Sequence, residues 1–246
     1  MNEEDRIGEC LASLEFCDEI VVVDSHSSDA TREVAARHGA RVIERDWPGF
    51  VKQKAFAVEA AEHAWVLALD ADERVSPALR AEIEALRDRG FPDKCGWRMP
   101  RLSSYLGRAI RHGTWYPDLQ LRLFDRRRGG WTGSDPHDRV ELEGPVGRLR
   151  GDLLHHPYRS LEDHLATIDR YTTIMADQLE KRGRRARLLD IVLRPPARFL
   201  AFYVIRRGFL DGWRGLLMAY LAAHYVRLKY AKLYVRQRLS KGSDQR

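Results

Sequence analysis

Along the first eighty residues the apolar positions alternate between a strand period and a helix period. Ile20 to Val23 is a β-branched run ending at Asp24, and Ala30 to His38 carries helical spacing between Ser28 or Asp29 and Gly39. Short oxygen-bearing side chains cap the first amides of a helix, and glycine accepts the left-handed turn that ends one. Arg41 to Glu44 predicts a second strand, Val51 to His63 a second helix, and Trp65 to Leu69 a third strand, wholly apolar and ending at Asp70. Ser76 followed by Pro77 predicts another helix start, since proline at the first helical position gives up an amide that would have no partner. This rhythm with short connections predicts an α/β fold with a mostly parallel sheet. Ligands of such sheets sit beyond the carboxyl ends of the strands, which is where Asp24, Asp70 and Asp72 fall.

From Phe91 to Tyr158 the pattern becomes loop-rich, with short apolar runs such as Leu119 to Phe124, and irregular strands covering a cleft are expected. Ser160 to Lys181 returns to helix, with Leu161, Leu165, Ile168, Thr172, Met175 and Leu179 on one face. The predicted division is therefore an α/β domain over 1–158 and a helical region over 159–246.

Charge sharpens that division. Lys181 to Arg246 holds 17 Lys/Arg against 3 Asp/Glu, a net +14, and the remainder holds 25 against 33, a net −8. The basic tail is interleaved with aromatics such as Phe199, Tyr203, Phe209, Trp213 and Tyr220, a composition suited to an anionic membrane surface. The acidic body and the lack of a recognition motif leave nucleic-acid binding by the tail as a weaker alternative. The longest charge-free stretch of the tail, Gly215 to Val226, has 12 residues, short of the roughly 20 a spanning helix needs. It reads as an interfacial helix or as a segment packed on the protein body. Three cysteines, Cys10, Cys17 and Cys95, without a Cys-x-x-Cys, indicate a reducing, cytoplasmic setting rather than a disulfide framework. The acidic opening Asn2-Glu3-Glu4-Asp5 does not read as a secretory signal.

The chemistry concentrates in Leu69-Asp70-Ala71-Asp72-Glu73. Two carboxylates one residue apart at a strand end can share Mg²⁺ or Mn²⁺ with phosphate oxygens. A calcium loop is excluded, because Val75 stands at its required glycine and Ala81 at its required glutamate. Asp24-Ser25-His26-Ser27-Ser28-Asp29 offers acceptors and donors to a ribose and a phosphate, although the same residues also make turns and caps. Two such loops together favour a nucleotide site, which a metal-dependent nucleotidyltransferase or phosphohydrolase could use.

These motifs are accompanied by Asn2-Glu3-Glu4, Gln53-Lys54, Tyr105-Leu106-Gly107-Arg108, Trp115-Tyr116-Pro117-Asp118, Gln120-Leu121-Arg122, His137-Asp138-Arg139-Val140 and Gly208-Phe209-Leu210-Asp211-Gly212. The full set resembles family 2 glycosyltransferases of the GT-A fold, and is similar to bacterial lipopolysaccharide-core glucosyltransferases. The resemblance implies inverting transfer of a hexose, glucose from UDP-glucose, onto an inner-core heptose of a lipid-anchored oligosaccharide. It implies a peripheral enzyme on the inner face of the bacterial inner membrane. Asp24 would contact the uridine, Asp70 the ribose, and Asp72 the metal, with Gln53 and Lys54 near the donor. Asp138 would be the base that deprotonates the acceptor hydroxyl, with Asp118 in reserve. His155, in His155-His156-Pro157-Tyr158, would be a further metal ligand. Arg122 and Gln120 would meet the pyrophosphate or an anionic acceptor, and Trp115 would stack on a sugar face.

The resemblance also implies an apolar strand running into Asn2-Glu3-Glu4, lying between the strands at Ile20–Val23 and Trp65–Leu69. Met1 stands in its place. The expectation is a start about ten residues upstream, and no direct pairing between those two strands.

Overall fold

The opening segment forms α1 (Glu4–Ala12), which buries Ile7, Cys10 and Leu11 and leaves its acidic first turn in solvent. The structure is a computed structural model and describes residues 1–134 and 137–243. Two compact units are present, one of Met1–Leu102 with Pro117–His156 and one of Ser103–Tyr116 with Pro157–Arg246.

In the first unit the expected alternation is present. β1 (Val21–Asp24), α2 (Thr31–Arg37), β2 (Arg41–Glu44), α3 (Phe50–Ala60) and β3 (Trp65–Leu67) follow in order. A short strand β4 (Glu73–Val75), hidden from periodicity by its three-residue length, precedes α4 (Pro77–Asp88). Ser76 Oγ caps α4 by accepting from the Leu79 amide at 3.2 Å, and Leu79, Ile83 and Leu86 form its buried face. They pack with Trp97, Met99, Leu123 and Leu153 in the main core.

The strands β5 (Gly96–Tyr105), β6 (Arg108–Ala109), β7 (Asp118–Asp125), β8 (Gly129–Ser134), β9 (His137–Leu142), β10 (Val146–Arg148) and β11 (Leu153–His155) complete the set. One sheet runs β3-β7-β5-β11-β4, with β6 and β10 also on β5. The expected parallel character holds only in part. β1 pairs with β2 and β10 with β5 in parallel, but β3–β7, β5–β7, β4–β11, β5–β6 and β8–β9 are antiparallel. A parallel return needs a crossover of a dozen or more residues, and short connections such as those joining β5 to β6 and β8 to β9 are too brief for one. Among the described residues β1 pairs with β2 and β3 with β7, and β1 and β3 are not hydrogen-bonded to each other.

This topology positions the polar residues. After β3 the chain turns through Asp70 and Asp72 into β4, whose antiparallel register sets Glu73 opposite His155. β7 lies beside β3 and carries Arg122, while the β8–β9 hairpin brings Asp138 opposite Gly133.

The second unit contains α5 (Leu161–Lys181), α6 (Leu188–Val192), α7 (Arg194–Leu200), a π turn over Ala201–Ile205, a 3-10 turn over Gly208–Asp211 and α8 (Gly212–Ser243). Ile168 of α5 and Met218, Ala219 and Leu221 of α8 bury against Phe202, Tyr105 and Ile110. Leu165, expected on the inner face of α5, is exposed. Gly215 to Val226 therefore packs most of its apolar side chains within this unit, leaving Leu216 and Tyr220 exposed.

Candidate active site

The two motifs nearest the N-terminus brace each other. Asn2 Oδ1 accepts from the Ser28 amide at 2.9 Å, Glu4 Oε2 accepts from the Ala30 amide at 2.8 Å, and the Glu3 amide donates to Thr31 Oγ1 at 2.8 Å. The carboxylates sit at the start of α2, where unpartnered amides attract negative charge. Asp24 is buried, and both its oxygens accept from Ser27, the backbone amide at 2.7 Å and the hydroxyl at 2.5 Å. In this state its carboxylate shapes the loop. Gln53 Nε2 donates to Ser25 Oγ at 3.0 Å, tying α3 to that loop, and Gln53 Oε1 is buried without a donor.

The next residue of α3 reaches the acidic turn. Lys54 Nζ lies 2.8 Å from Asp70 Oδ1 and 2.9 Å from Asp138 Oδ2, joining carboxylates that are 68 positions apart in sequence. Arg122 donates to Asp70 Oδ2 at 2.8 Å and to Glu73 Oε1 at 2.7 Å. Glu73 is fully buried, and Oε1 also accepts from Arg101 at 3.1 Å while Oε2 takes the Asp70 amide at 3.0 Å. Arg101 continues to Asp118 Oδ2 at 2.6 Å, and Gln120 donates to Asp118 Oδ1 at 2.7 Å. Eight residues, Lys54, Asp70, Asp138, Arg122, Glu73, Arg101, Asp118 and Gln120, thus form one chain of charge-assisted bonds, each strengthened by an ionised donor or acceptor.

Burial alone would raise the Asp70 carboxyl, but Arg122 and then Lys54 outweigh it and hold it well below the carboxylate range. Burial likewise opposes charge on Arg122, yet Glu73 and Asp70 push its guanidinium further up. The Cys10 thiol, whose Sγ is 3.6 Å from the Asp70 carbonyl oxygen, is pushed up to about 12 by burial and then by Glu73, Asp72 and Asp70. The turn is therefore a strongly negative place in which the pair Arg122 and Lys54 supplies the compensation.

Asp72 stands outside that chain. Its Oδ2 is 3.5 Å from His155 Nε2 and 3.9 Å from the Arg6 guanidinium, and the His156 amide donates to its carbonyl oxygen at 2.9 Å. A carboxylate oxygen and an imidazole nitrogen at this separation suit Mn²⁺ or Mg²⁺ as partial ligands. Among the described residues no three His, Cys, Asp or Glu side chains form a cation cage, so remaining positions would fall to ligand oxygens and water.

Three further placements complete the survey. Arg122, expected toward a pyrophosphate, is buried and spent on Asp70 and Glu73. Trp115 lies in the second unit, where its ring packs with Tyr105, Tyr158 and His164 at centroid distances of 6.0, 6.1 and 6.3 Å. The side chain of His137 lies outside the described residues. Sequence reasoning placed Glu73 in the acidic motif without assigning it a site role, and it missed Arg101 and Trp131. The Trp131 ring sits under both Lys54 Nζ at 4.6 Å and the Arg122 guanidinium at 5.4 Å, and only the hairpin register brings it there.

The Gly208–Gly212 motif is structural. Asp211 is buried and accepts from the His112 amide at 2.9 Å and the Arg111 amide at 3.3 Å. A Cβ on Gly215 would collide with the Gly208 carbonyl, so the 3-10 turn and α8 can approach this closely only without side chains.

Comparison with known proteins bears on this geometry. Residues 1–139 match the family model described as "Glycosyl transferase family 2". The chain is 33% identical over 246 residues to the lipopolysaccharide core biosynthesis glycosyltransferase LpsC of Rhizobium meliloti, covering 97% of this chain and 91% of that protein. It is 30% identical to an uncharacterized glycosyltransferase of Rickettsia typhi, covering 94% of this chain and 83% of the relative. Residues 1–349 of Staphylococcus aureus TarS, solved with UDP-GlcNAc, superpose with a TM-score of 0.48 at 15% identity, covering 98% of this chain and 89% of that one. The family match and the near full-length identity to LpsC together establish that this chain belongs to glycosyl transferase family 2 and is a glycosyltransferase.

Proposed function

We propose that the enzyme transfers a hexose, glucose from UDP-glucose, with inversion onto an inner-core heptose of lipopolysaccharide, at the inner face of the bacterial inner membrane. The acceptor class is supported by the similarity to LpsC, named for lipopolysaccharide core biosynthesis. The chemistry rests on one observation: Lys54 joins Asp70 and Asp138 at the turn that also carries Asp72.

In this reading the nucleoside diphosphate lies along the Asp70–Asp72 turn, with Asp24 and Gln53 toward the base. Lys54 turns from the carboxylates toward the incoming phosphates. Asp72 and His155 would hold a divalent cation, which when bound neutralises the departing diphosphate. Asp138 accepts the proton of the attacking hydroxyl, because an alcohol is a weak nucleophile until a base removes its proton. Arg122, fixed by Glu73, keeps Asp70 ionised, and Arg101, fixed by the same carboxylate, holds Asp118 in place. The helical region 159–246 holds the enzyme at the membrane where a lipid-anchored acceptor resides.

The test is transfer from a panel of UDP-sugars to heptose-terminated lipopolysaccharide with Mn²⁺ present, the product being weighed by mass spectrometry. A mass gain of one hexose, lost in Asp72→Ala and Asp138→Asn, is expected. Consumption of a nucleoside triphosphate with a sugar phosphate instead would identify a nucleotidyltransferase.

A further inference from the structure

We propose that residues 184–220 of the second unit form a surface that seats the enzyme on anionic phospholipid, entering the interface from the short helices and turns that precede α8 and from the first turns of α8. The proposal specifies the membrane contact that the functional reading above requires, and it rests on that reading for its purpose.

Of 18 large hydrophobic side chains exposed among the described residues, 12 fall between Leu188 and Tyr220. Exposed apolar residues scattered singly need no explanation, but a concentration of them marks a contact surface. Leu188, Leu193, Leu200, Ile205, Leu210 and Trp213 are each more than half exposed. The aromatic part of the patch is linked: Tyr220 touches Phe199 at 5.0 Å between centroids, Phe199 touches Tyr203 at 5.4 Å, and Tyr203 touches Phe209 at 6.2 Å. Those ring contacts link α8, α7, the π turn and the 3-10 turn across one surface.

Charge identifies the occupant. Arg184 to Arg214 contains eight arginines and no lysine, against Asp190 and Asp211. Both aspartates are buried and bonded within the unit, Asp190 to Arg194 and Asp211 to the 111–112 backbone. The net field at the patch is therefore positive. A cleft of about 480 Å³ beside Leu189 is lined by Arg184, Arg185, Arg187 and Arg194 together with Asp190, a net positive lining with enough room for a phosphate headgroup, and exposed leucines lie beside it for an acyl chain. Arginine forks match phosphate oxygens. A second copy of this chain would bring a like charge against this face, which disfavours self-association. No helix among the described residues is long and apolar enough to cross a membrane, so the surface lies in the interfacial plane.

The experiment is flotation of the full chain with vesicles of phosphatidylcholine alone and of phosphatidylcholine and phosphatidylglycerol in equal parts. Binding is expected to the mixed vesicles only, with a blue shift of tryptophan emission that Trp213→Phe removes. Arg185→Glu with Arg187→Glu should weaken binding by at least about twentyfold. Leu193→Ser with Ile205→Ser and Leu210→Ser should abolish it while the circular dichroism melt is unchanged, since all three positions are exposed. The proposal is overturned if these variants float like the parent, if both vesicle types bind equally, or if the parent binds neither and instead dimerises or captures an acidic protein. Sugar transfer to an acceptor stripped of its acyl chains should be the same in parent and variants. Failure of that transfer in the parent, with vesicle binding intact, would sink the functional reading and leave the surface standing.

Discussion

Asp72 Oδ2 faces His155 Nε2 at 3.5 Å, across the point where β4 and β11 pair. Asp72 faces His155 and Arg6 at 3.5 and 3.9 Å, whereas Asp70 is held by Lys54 and Arg122 and Glu73 by Arg122 and Arg101. Mn²⁺ should therefore strengthen UDP binding through Asp72. Calorimetry should show that Asp72→Ala removes the Mn²⁺ enhancement, and that His155→Ala weakens it by about tenfold, about 1.4 kcal/mol. An Mn²⁺ effect unchanged in both variants would dismiss the pair as ligands.

Glu73, itself fully buried, neutralises two guanidinium groups. Replacing it by glutamine leaves Arg122 and Arg101 short of a carboxylate, and removing one partner of a buried ion pair typically destabilises by about 3–5 kcal/mol. Urea unfolding of Glu73→Gln should show a loss of that order, well above the effect of Arg139→Ala, whose pair with Glu141 is exposed.

Trp131 supports both cations of the site with one ring. Trp131→Ala should release Lys54 and Arg122 and weaken donor binding by about 1–2 kcal/mol, while Trp131→Phe keeps most of the face and loses less than half of that. Titration with UDP would separate the two. Equal losses would mean that the ring acts by packing volume.

His164 predicts a pH dependence of the second unit. Burial is the first cause that lowers its pKa, to about 4, against a smaller opposing effect of Asp163. Its ring stacks on Tyr158 at 3.9 Å, and Nδ1 is 3.0 Å from the Tyr105 hydroxyl. The unfolded chain takes up a proton near 6.5 that the folded chain refuses until about 4, so stability is complete above 6.5 and falls as the pH drops toward 4. The melting temperature should decline over that window by the equivalent of about 2 kcal/mol. His164→Gln should flatten that part of the curve.

Gly113 has a positive φ of 74°, and a Cβ there would lie 2.4 Å from the fully buried Phe202 ring. Gly113→Ala should destabilise the second unit by about 2 kcal/mol or more, since strain and overpacking add. Gly183→Ala, also at positive φ but with open space around it, should show only the backbone part, and comparing the two melts checks the argument.

Local rules set much of this protein from its sequence. Hydrophobic period placed β1, α2, β2, α3, β3 and α4 within a few residues, with Ser76 acting as the cap its position implied, whereas α2 starts after Ala30 without the side-chain cap expected of Ser28 or Asp29. The acidic turn after β3 was legible because carboxylates leaving an apolar strand stand out in one dimension. Tertiary structure decided the rest. The direction of strand pairing after Phe91 depends on which hairpins close, and β4 is too short to show a period. Glu73, Arg101 and Trp131 became site residues only through register and the β8–β9 hairpin, which bring distant positions within bonding range. The same physics decided between the two readings of Gly215 to Val226. Met218, Ala219 and Leu221 pack with Ile168, Tyr105, Ile110 and Phe202, while many of the residues before that segment, broken by Pro195, Pro196 and two tight turns, keep their apolar side chains in solvent. Composition records how much apolar surface a segment carries, and only packing decides which of it is covered.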